Sequence, residues 1–332
     1  MTFNGDLLKR LVEVYSPSGD EEKIADVIKN EIINYVDEIN SDSLGNLIAR
    51  KKGNGKKIMI AGHMDQIGLM ITDIDKEGFL RFTNIGGISP YISLGQKVIF
   101  KNGTIGVVYM ERTDDMGKLK LENMYIDIGA KKKEDAEKKI SIGDSCVYLS
   151  GYYEDSSRIT SGCLDDRIGC YIMIETLKEL SHSENDLYFV FTVQEEVGVR
   201  GAKTSAYSIN PDIGIAVDIT GSGDTPKAKR FAISLDKGAA IKVKDQGIVV
   251  HPKIKELMIN TAKENNIDYQ LEILEYGGTD SGAIHLTREG VPSGVISVPT
   301  RYAHTPCETI SKNDVISCIK LLTKVLEKEI NL

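Results

Sequence analysis

Two periodicities of apolar residues alternate along this chain. Apolar positions three and four residues apart predict helices, and short apolar runs bounded by glycine or proline predict buried strands. The helical spacing covers residues 6–15, 20–34, 168–180 and 252–265. The apolar runs cover residues 46–50, 57–60, 187–193, 213–217 and 294–298, the first two joined at Gly53-Asn54-Gly55. Strands that alternate with helices in this way predict an α/β layer architecture.

The pattern changes between residues 66 and 160. Short alternating segments, such as residues 97–100 and 104–110, are separated by glycines, and long helical patterns are rare. We therefore expect an α/β domain formed by residues 1–65 and 161–332, with residues 66–160 as an inserted β domain.

A last helix is predicted near the end of the chain. Ser311 and Asp314 have the spacing of a capping box, in which two side chains bond the free N–H groups of a first turn. An apolar stripe from Val315 to Leu326 follows at helical spacing.

The composition is that of an ordinary globular protein with enough residues for an extensive core. Of 332 residues, 41% are hydrophobic and 27% are charged. No apolar run approaches the roughly 20 residues of a membrane span, and residues 1–10 lack the apolar core of a secretory signal. The net charge is −8 and the lysines are dispersed, so we expect neither nucleic acid nor membrane as a partner.

The cysteines indicate a reducing compartment. There are five of them, an odd number, and none forms a CxxC pair. This favours the cytoplasm over a disulfide framework. Cys163 and Cys307 lie near motifs described below, but neither has an evident base beside it, so a small apolar role is favoured over a catalytic thiol.

Six acidic and imidazole side chains stand in short motifs far apart in the sequence. Five are potential metal ligands and the sixth is a spare carboxylate: His63, Asp165, Glu196, Asp218 and His304, with Glu195 beside them. Two divalent cations a few ångströms apart need imidazoles and several carboxylates, one of which bridges both ions. Together the motifs predict a two-metal hydrolase.

His63 and Asp165 each have an alternative interpretation when taken alone. His63 follows an apolar strand, and Asp65 can accept a hydrogen bond from the second ring nitrogen. A hydrogen-bonded histidine at a turn would have the same pattern. Asp165 and Asp166 open a predicted helix, where acids often serve as simple caps. A position at the return from the insertion would also suit a bridging carboxylate.

Glu195 and Glu196 follow the most apolar strand of the chain, residues 187–193. Two adjacent acids at such a place are costly unless a metal or a proton offsets their repulsion. Successive strand side chains point in opposite directions, so one glutamate could bind metal while the other acts as general base. Two solvated glutamates at a strand end are the alternative.

Asp218 and His304 also follow apolar strands, and ligands commonly gather at the carboxyl ends of strands in open α/β sheets. His182 and His251 lack this context and are predicted to be structural. Asp280, in a glycine-rich turn, could orient substrate or another ligand.

These motifs resemble, nearly in sequence order, those of the tetrahedral (TET) dinuclear metalloaminopeptidases, which include glutamyl and deblocking aminopeptidases and some members labelled endoglucanase. The similarity covers the whole chain and is carried by GHMDQIG, LDDRIG, FTVQEEVGVRGA, AVDIT, YGGTDSGAIH and PTRYAHTPCE. One departure is Gln66, where many relatives have glutamate, and this removes a negative charge near the metals.

The resemblance implies a role for each residue of the site. His63 and Asp218 would bind one metal, Glu196 and His304 the other, and Asp165 both. Glu195 would be the general base, and Asp65 would orient His63. The resemblance also implies a three-layer α/β/α catalytic domain with a mixed sheet, interrupted by a small β-barrel-like domain that serves oligomerisation. Dimers and tetrahedral dodecamers are the implied assemblies.

The expected activity is removal of N-terminal residues from short peptides by a metal-activated water. Zinc is the expected metal, and an oxygen-rich ligand set would also accept cobalt or manganese. Three alternatives remain at this stage: an endoglucanase-type glycoside hydrolase, a non-catalytic assembly protein of the same fold, and a carboxypeptidase or deacylase with the same chemistry. The glycoside hydrolase leaves both histidines unexplained, and the absence of tryptophan removes a common sugar-stacking surface.

Overall fold

The computed structural model of the protein describes residues 3–228 and 232–330. The helices in these ranges are α1 Gly5–Val12, α2 Glu22–Ile32, α3 Pro90–Ser93, α4 Lys133–Glu137, α5 Leu164–Glu179, α6 Arg200–Ile209, α7 Pro252–Glu264, α8 Ser281–Ile284 and α9 Lys312–Leu326. Short 3₁₀ turns span Met116–Lys118 and Leu121–Asn123. None of the helices in the described ranges is both long and apolar enough to cross a membrane.

The strands of the same ranges form two sheets. They are β1 Glu38–Ser41, β2 Leu47–Lys51, β3 Lys57–His63, β4 Gly68–Ile74, β5 Leu80–Ile85, β6 Lys97–Phe100, β7 Ile105–Met110, β8 Met124–Asp127, β9 Ser145–Tyr148, β10 Tyr153–Glu154, β11 Arg158–Ser161, β12 Asp186–Thr192, β13 Ile213–Gly221, β14 Ala239–Lys244, β15 Tyr269–Ile273, β16 Ser293–Arg301 and β17 Glu308–Ser311.

The larger sheet has the order β1-β2-β12-β3-β13-β16-β17-β11-β10, and β14 pairs with both β15 and β16. Its centre is parallel, because β12, β3, β13 and β16 run in the same direction. Most pairs outside this centre are antiparallel, which makes the sheet mixed, although β14 and β15 are parallel. The turn at Gly53-Asn54-Gly55 joins β2 to β3 in sequence, but β12 lies between them in space.

Helices cover both faces of this sheet because its central strands are apolar on both sides. On β3, Ile58 and Ile60 contribute to a core shared with α1, α2, α5, α7 and α9. The alternate residues Met59 and Ala61 face a smaller core with α6 and α8. Residues two apart on a strand lie on one face, so this alternation produces the two layers. The predicted three-layer α/β/α architecture is confirmed.

The smaller sheet is a closed barrel with the order β4-β5-β8-β7-β6-β9. Its interior is an apolar cluster that includes Leu80, Phe100, Val108 and Ile126. The chain enters the barrel after β3 and returns to the larger sheet at β10 and β11. The predicted β-barrel-like insertion is therefore present between elements of the α/β body.

One local prediction is wrong: Ser311 and Asp314 do not form a capping box. Ser311 precedes α9 without capping it, and its hydroxyl donates instead to Asp236. The carboxylate of Asp314 accepts hydrogen bonds from the backbone N–H groups of Asp236 and Gly238. Both side chains therefore anchor the segment before β14 rather than the first turn of their own helix.

Candidate metal centre

Four strands place all the candidate side chains except Asp165 at one edge of the larger sheet. His63 is the last residue of β3, and Glu195 and Glu196 follow the end of β12. His304 follows β16. Asp218 lies three residues before the end of β13, because that strand continues past the predicted end to Gly221. Parallel strands end at the same edge, so residues remote in sequence meet there.

Asp165 lies between the two imidazoles. Its Oδ1 is 3.1 Å from Nε2 of His63, and its Oδ2 is 3.2 Å from Nε2 of His304. Asp165 and Asp166 have non-helical backbone angles at the start of α5. Oδ1 of Asp166 accepts from the backbone N–H of Gly169, as a helix cap does, whereas the carboxylate of Asp165 faces the imidazoles. A carboxylate with one oxygen toward each imidazole has the arrangement required of a bridging ligand.

Each of the two glutamates approaches a different imidazole. Oε2 of Glu196 is 3.6 Å from Nε2 of His304, and Oε2 of Glu195 is 4.0 Å from Nε2 of His63. Among the residues that the structure describes, two groups have donor atoms within 4.8 Å of one another: His63, Asp165 and Glu196, and His63, Asp166 and Asp218. The structure thus brings all five predicted ligands and Glu195 to one cleft.

Asp65 is buried beneath the cleft and contacts both His63 and the glutamate pair. Its Oδ1 is 3.4 Å from Nδ1 of His63, and its backbone carbonyl is 3.1 Å from the same nitrogen. Its carboxylate also accepts from the backbone N–H groups of Glu195 and Glu196 and from the hydroxyl of Ser18. One side chain therefore fixes the orientation of an imidazole and the backbone of two carboxylates.

Two groups in contact with the site were not predicted from the sequence. The buried carboxylate of Glu308 accepts from the backbone N–H groups of Asp165, at 2.9 Å, and His304, at 2.8 Å. The carbonyl oxygen of Gly87, from the loop that follows β5 of the barrel, accepts from Nδ1 of His304 at 2.8 Å. An acid four residues after His304 was visible in the sequence, whereas a backbone carbonyl carries no residue-type signal.

Asp166 and Asp280 are also buried and hydrogen-bonded. Asp166 accepts from the backbone N–H groups of His63 and Gly169, so it connects β3 to α5. Asp280 accepts from the hydroxyl of Thr192 at the end of β12. Cys163 precedes α5 and is partly buried, and Cys307 is exposed. Burial raises the pKa of the Cys163 thiol to about 12, which disfavours the thiolate that a nucleophilic role requires.

The clustered carboxylates disturb one another's ionisation. Burial raises the pKa of Glu195 well above its usual value, and the charges of Asp218, Asp280 and Glu196 add to the rise. Burial, assisted by Asp165, likewise raises the pKa of Glu196 to about 7. Burial alone would lower the pKa of His304, but Asp165 and Glu196 raise it to about 11. This much buried negative charge favours bound cations.

The donor set fits divalent metal ions. Imidazole nitrogens and carboxylate oxygens are the usual protein ligands of zinc, and they also suit cobalt and manganese. The donor atoms project into a cleft of about 390 Å³. Besides the ligands, the residues that line the cleft include Ile219, Lys242, Leu274 and Gly277.

A comparison with known families places the chain in one of them. Residues 45–321 match the family model described as M42 glutamyl aminopeptidase. The chain belongs to the M42 glutamyl aminopeptidase family. The predicted resemblance to the TET aminopeptidases and the prediction of a metal-dependent aminopeptidase are confirmed.

Two proteins named as aminopeptidases match over nearly their whole length. A protein of Acetivibrio thermocellus named "Putative aminopeptidase" is 52% identical over 97% of this chain and 98% of its own. The lysyl aminopeptidase of Pyrococcus furiosus is 36% identical over 97% of this chain and 96% of its own.

Solved structures of aminopeptidases share the fold. The aminopeptidase APDkam598 from the archaeon Desulfurococcus kamchatkensis is 38% identical with a TM-score of 0.94, over 97% of this chain and 94% of that one. The Pyrococcus horikoshii TET1 peptidase, described as able to assemble into a tetrahedron or a large octahedral shell, is 30% identical with a TM-score of 0.87. That match covers 97% of this chain and 99% of that one.

Proposed function

We propose that this M42 aminopeptidase removes N-terminal residues from short peptides with two divalent metal ions per subunit. The observation that carries the proposal is the carboxylate of Asp165, whose two oxygens lie at 3.1 and 3.2 Å from the imidazoles of His63 and His304. Each imidazole also has a further carboxylate within reach. A pair of cations, rather than a single one, makes use of all these donors.

In this proposal His63 and Asp218 hold one ion, Glu196 and His304 hold the other, and Asp165 holds both. Zinc is the metal we propose, with cobalt or manganese as substitutes. When bound, such ions lower the pKa of water and polarise a scissile carbonyl.

Glu195 is the proposed general base. Asp65 fixes its backbone N–H, and its carboxylate lies 4.0 Å from Nε2 of His63, so it borders the ligand cluster. In this position Glu195 would accept a proton from the attacking water and return it to the leaving amine. Asp65 is a positioning residue in this scheme, because it contacts Glu195 and His63 but is itself fully buried.

The dimensions of the cleft support cleavage at a chain end. A volume of about 390 Å³ lies near the lower limit of roughly 300–1,000 Å³ for small-molecule sites. Such a cleft suits one terminal residue and its peptide bond. Carboxylates that surround the metals also offer partners for a free α-ammonium group, which an N-terminal residue carries and an internal residue lacks.

We propose further that the protein forms a homo-oligomer built from dimers, with a tetrahedral dodecamer as the candidate assembly, through residues 66–160. The P. horikoshii relative assembles into closed shells. On the barrel of the present chain, Ile105, Val107 and Tyr109 alternate along β7 with 52%, 40% and 49% of their surface exposed. An exposed apolar row on one strand suits a subunit contact. The five free cysteines support the proposed cytoplasmic location.

A pair of substitutions tests the catalytic proposal. Glu195→Gln should lower kcat on aminoacyl-p-nitroanilides by at least about 100-fold, because a positioned general base contributes roughly 10²- to 10⁴-fold. Its metal content should stay at the wild-type value. His63→Ala should lose metal as well as activity. Metal analysis and steady-state kinetics on reconstituted protein measure both quantities.

Glu184→Gln is the matched control, since Glu184 is exposed and remote from the cleft. It should behave as wild type in both assays. Full activity in Glu195→Gln would remove the proposed base. Cleavage of a glucan that resists chelators, with no release of N-terminal residues, would favour the glycoside hydrolase instead.

A further inference from the structure

The cleft contains a buried lysine that the catalytic proposal does not use. Among the described residues that line the cleft, Lys242 is the one basic side chain besides the two histidines. It lies on β14, which pairs with β16 at Ile296 and Ser297, on the side away from β13. A lysine beside a substrate site would ordinarily attract a substrate carboxylate.

Two carboxylates form ion pairs with this lysine. Its Nζ lies 2.8 Å from Oε1 of Glu272 and 3.1 Å from Oδ2 of Asp245. The three side chains are 1%, 0% and 0% exposed. Lys242 and Glu272 are opposite one another in the register of β14 and β15, which places them on the same face of the sheet.

The positions of both carboxylates are fixed by the fold. Asp245 accepts from the backbone N–H groups of Gly247 and Ile248 with its other oxygen, so its side chain is held in a turn. Within the described ranges, neither oxygen of Glu272 has a hydrogen-bond partner apart from its ion pair with Lys242. Glu272 therefore depends on Lys242 to offset the cost of burying its charge. A substrate anion would have to compete with Glu272 for the lysine.

The cluster carries one cation and two carboxylates. Burial lowers the pKa of Lys242, but Glu272 and Asp245 more than offset this and raise it above its usual value, so the lysine stays charged. Removing one partner of a buried ion pair is costly, because the other charge is left unpaired. The recess of the cleft beside Lys242 thus has a surplus of negative charge and no free cation among the described residues.

We propose that Glu272 and Asp245 determine substrate preference by neutralising Lys242, so that acidic N-terminal residues are disfavoured relative to uncharged apolar ones. The inference rests on the proposed function, since it takes the recess next to Asp218 as the place of the N-terminal side chain. The neighbouring Ile219 and Leu274 supply apolar surface there. Specificity then arises from a repulsive element as well as from contact area.

The test compares leucyl-, lysyl- and glutamyl-p-nitroanilide as substrates of the metal-reconstituted enzyme. Wild type should have a kcat/KM for the glutamyl substrate at least tenfold below that for the leucyl substrate. Glu272→Gln removes one carboxylate at nearly constant volume, and the glutamyl-to-leucyl ratio should rise at least fivefold. The double variant Lys242→Gln/Glu272→Gln is the matched control, in which this gain should disappear because no cation remains.

Product inhibition gives a second measurement on wild type alone, which stays informative if Glu272→Gln fails to fold. Free leucine should inhibit at a concentration at least tenfold lower than free glutamate. A wild type that prefers the glutamyl substrate, or that is inhibited equally by both amino acids, would overturn the inference. So would an unchanged ratio in Glu272→Gln with leucyl activity intact, and this result would leave the proposed function in place. Failure to hydrolyse any of the three substrates would instead contradict the proposed function together with the inference.

Discussion

The α/β body and the barrel differ in what they bury. The body buries many ionisable side chains: Glu21, His63, Asp65, Asp165, Asp166, Arg167, Asp186, Asp218, Lys242, Asp245, Glu272, Asp280, Glu308 and Asp314. Between residues 66 and 160, all of which the structure describes, the buried polar residues are Gln66 and Ser93, and no charged side chain is buried. The barrel interior is otherwise apolar.

This contrast separates two physical tasks. A buried charge destabilises a fold unless partners offset its desolvation, so a fold retains such groups at a cost. In the body, the buried groups are concentrated at the cleft and in the Lys242 cluster beside it. The barrel gains stability from apolar burial with no comparable cost. We infer that chemistry resides in the body and that the barrel contributes shape and contact surface.

The separation has one exception, at the loop that follows β5. There Gly87 accepts the hydrogen bond from His304, and Gly86 lies against Glu196. The barrel therefore touches the metal centre through backbone rather than through charged side chains. Substitutions on either side of this contact can show how far the two tasks are independent.

Of the three substitutions that test this contrast, Glu308→Gln in the body should have the largest effect on turnover. Its carboxylate accepts from the backbone N–H groups of Asp165 and His304, and an amide offers only one accepting oxygen in its place. Groups that hold metal ligands typically contribute 10- to 100-fold in metal affinity or activity. We expect a loss of this size in metal affinity, measured by titration of the metal-free protein, and a parallel loss in kcat/KM.

Asp314→Asn is the matched control for Glu308→Gln. Asp314 is also buried and also accepts from two backbone N–H groups, but at the segment before β14. It should lower the unfolding temperature and leave metal affinity unchanged. Equal losses of metal affinity in both variants would show that the body responds to any buried substitution, and that Glu308 has no special role.

The sequence predicted which side chains come together better than it predicted the contacts that hold them in place. His63, Glu195 and Glu196 could be placed because each adjoins an apolar strand, and parallel strands deliver their ends to one edge. Their proximity then follows from the α/β pattern. Asp165 could be placed only through its motif, since its backbone is irregular at the start of α5.

What the sequence could not predict depends on contacts between distant segments. The spacing of Ser311 and Asp314 fits a capping box, but both side chains bond the 236–238 segment instead. The order of neighbouring strands also has no local signal, so the insertion of β12 between β2 and β3 was not foreseen. Propensity and spacing describe local preference, and tertiary partners override it.

A smaller effect on turnover is expected from Gly86→Ala in the loop of the barrel. Gly86 has a φ of +75°, and a Cβ there would lie 2.9 Å from Oε2 of Glu196 and 2.8 Å from Cγ2 of Ile67. Both distances are shorter than van der Waals contact, so the carboxylate of Glu196 must shift. We expect kcat/KM to fall roughly five- to tenfold, since displacing a ligand costs on the order of 1 kcal/mol or more.

Gly129→Ala shows how much of this effect comes from backbone strain alone. Gly129 lies in the same insertion with a φ of +73°, and a Cβ there would have nothing within 4 Å. It carries the same conformational strain as Gly86→Ala, about 1 kcal/mol, but touches no ligand. Its kcat/KM should match wild type. If Gly86→Ala is also fully active, the barrel makes no contribution to the metal centre and the separation of tasks is complete.

The smallest effect on turnover is expected from Ile126→Ala in the barrel core. Ile126 is fully buried on β8, opposite Val108 of β7, and its truncation should lower the free energy of unfolding by about 2–5 kcal/mol. Ile105→Ala on β7 makes the same chemical change at a site that is 52% exposed, and should cost only a few tenths of a kcal/mol in a subunit dissociated from its partners. Denaturant unfolding measures both.

At temperatures where Ile126→Ala remains folded, its kcat should lie within twofold of wild type, because no side chain of the barrel core reaches the cleft. A tenfold fall in kcat with metal still bound would mean that core packing in the barrel controls the position of Gly87, and through it His304. In that case the packing of the barrel core would affect catalysis as well as stability, and substitutions in its apolar interior would be limited by both.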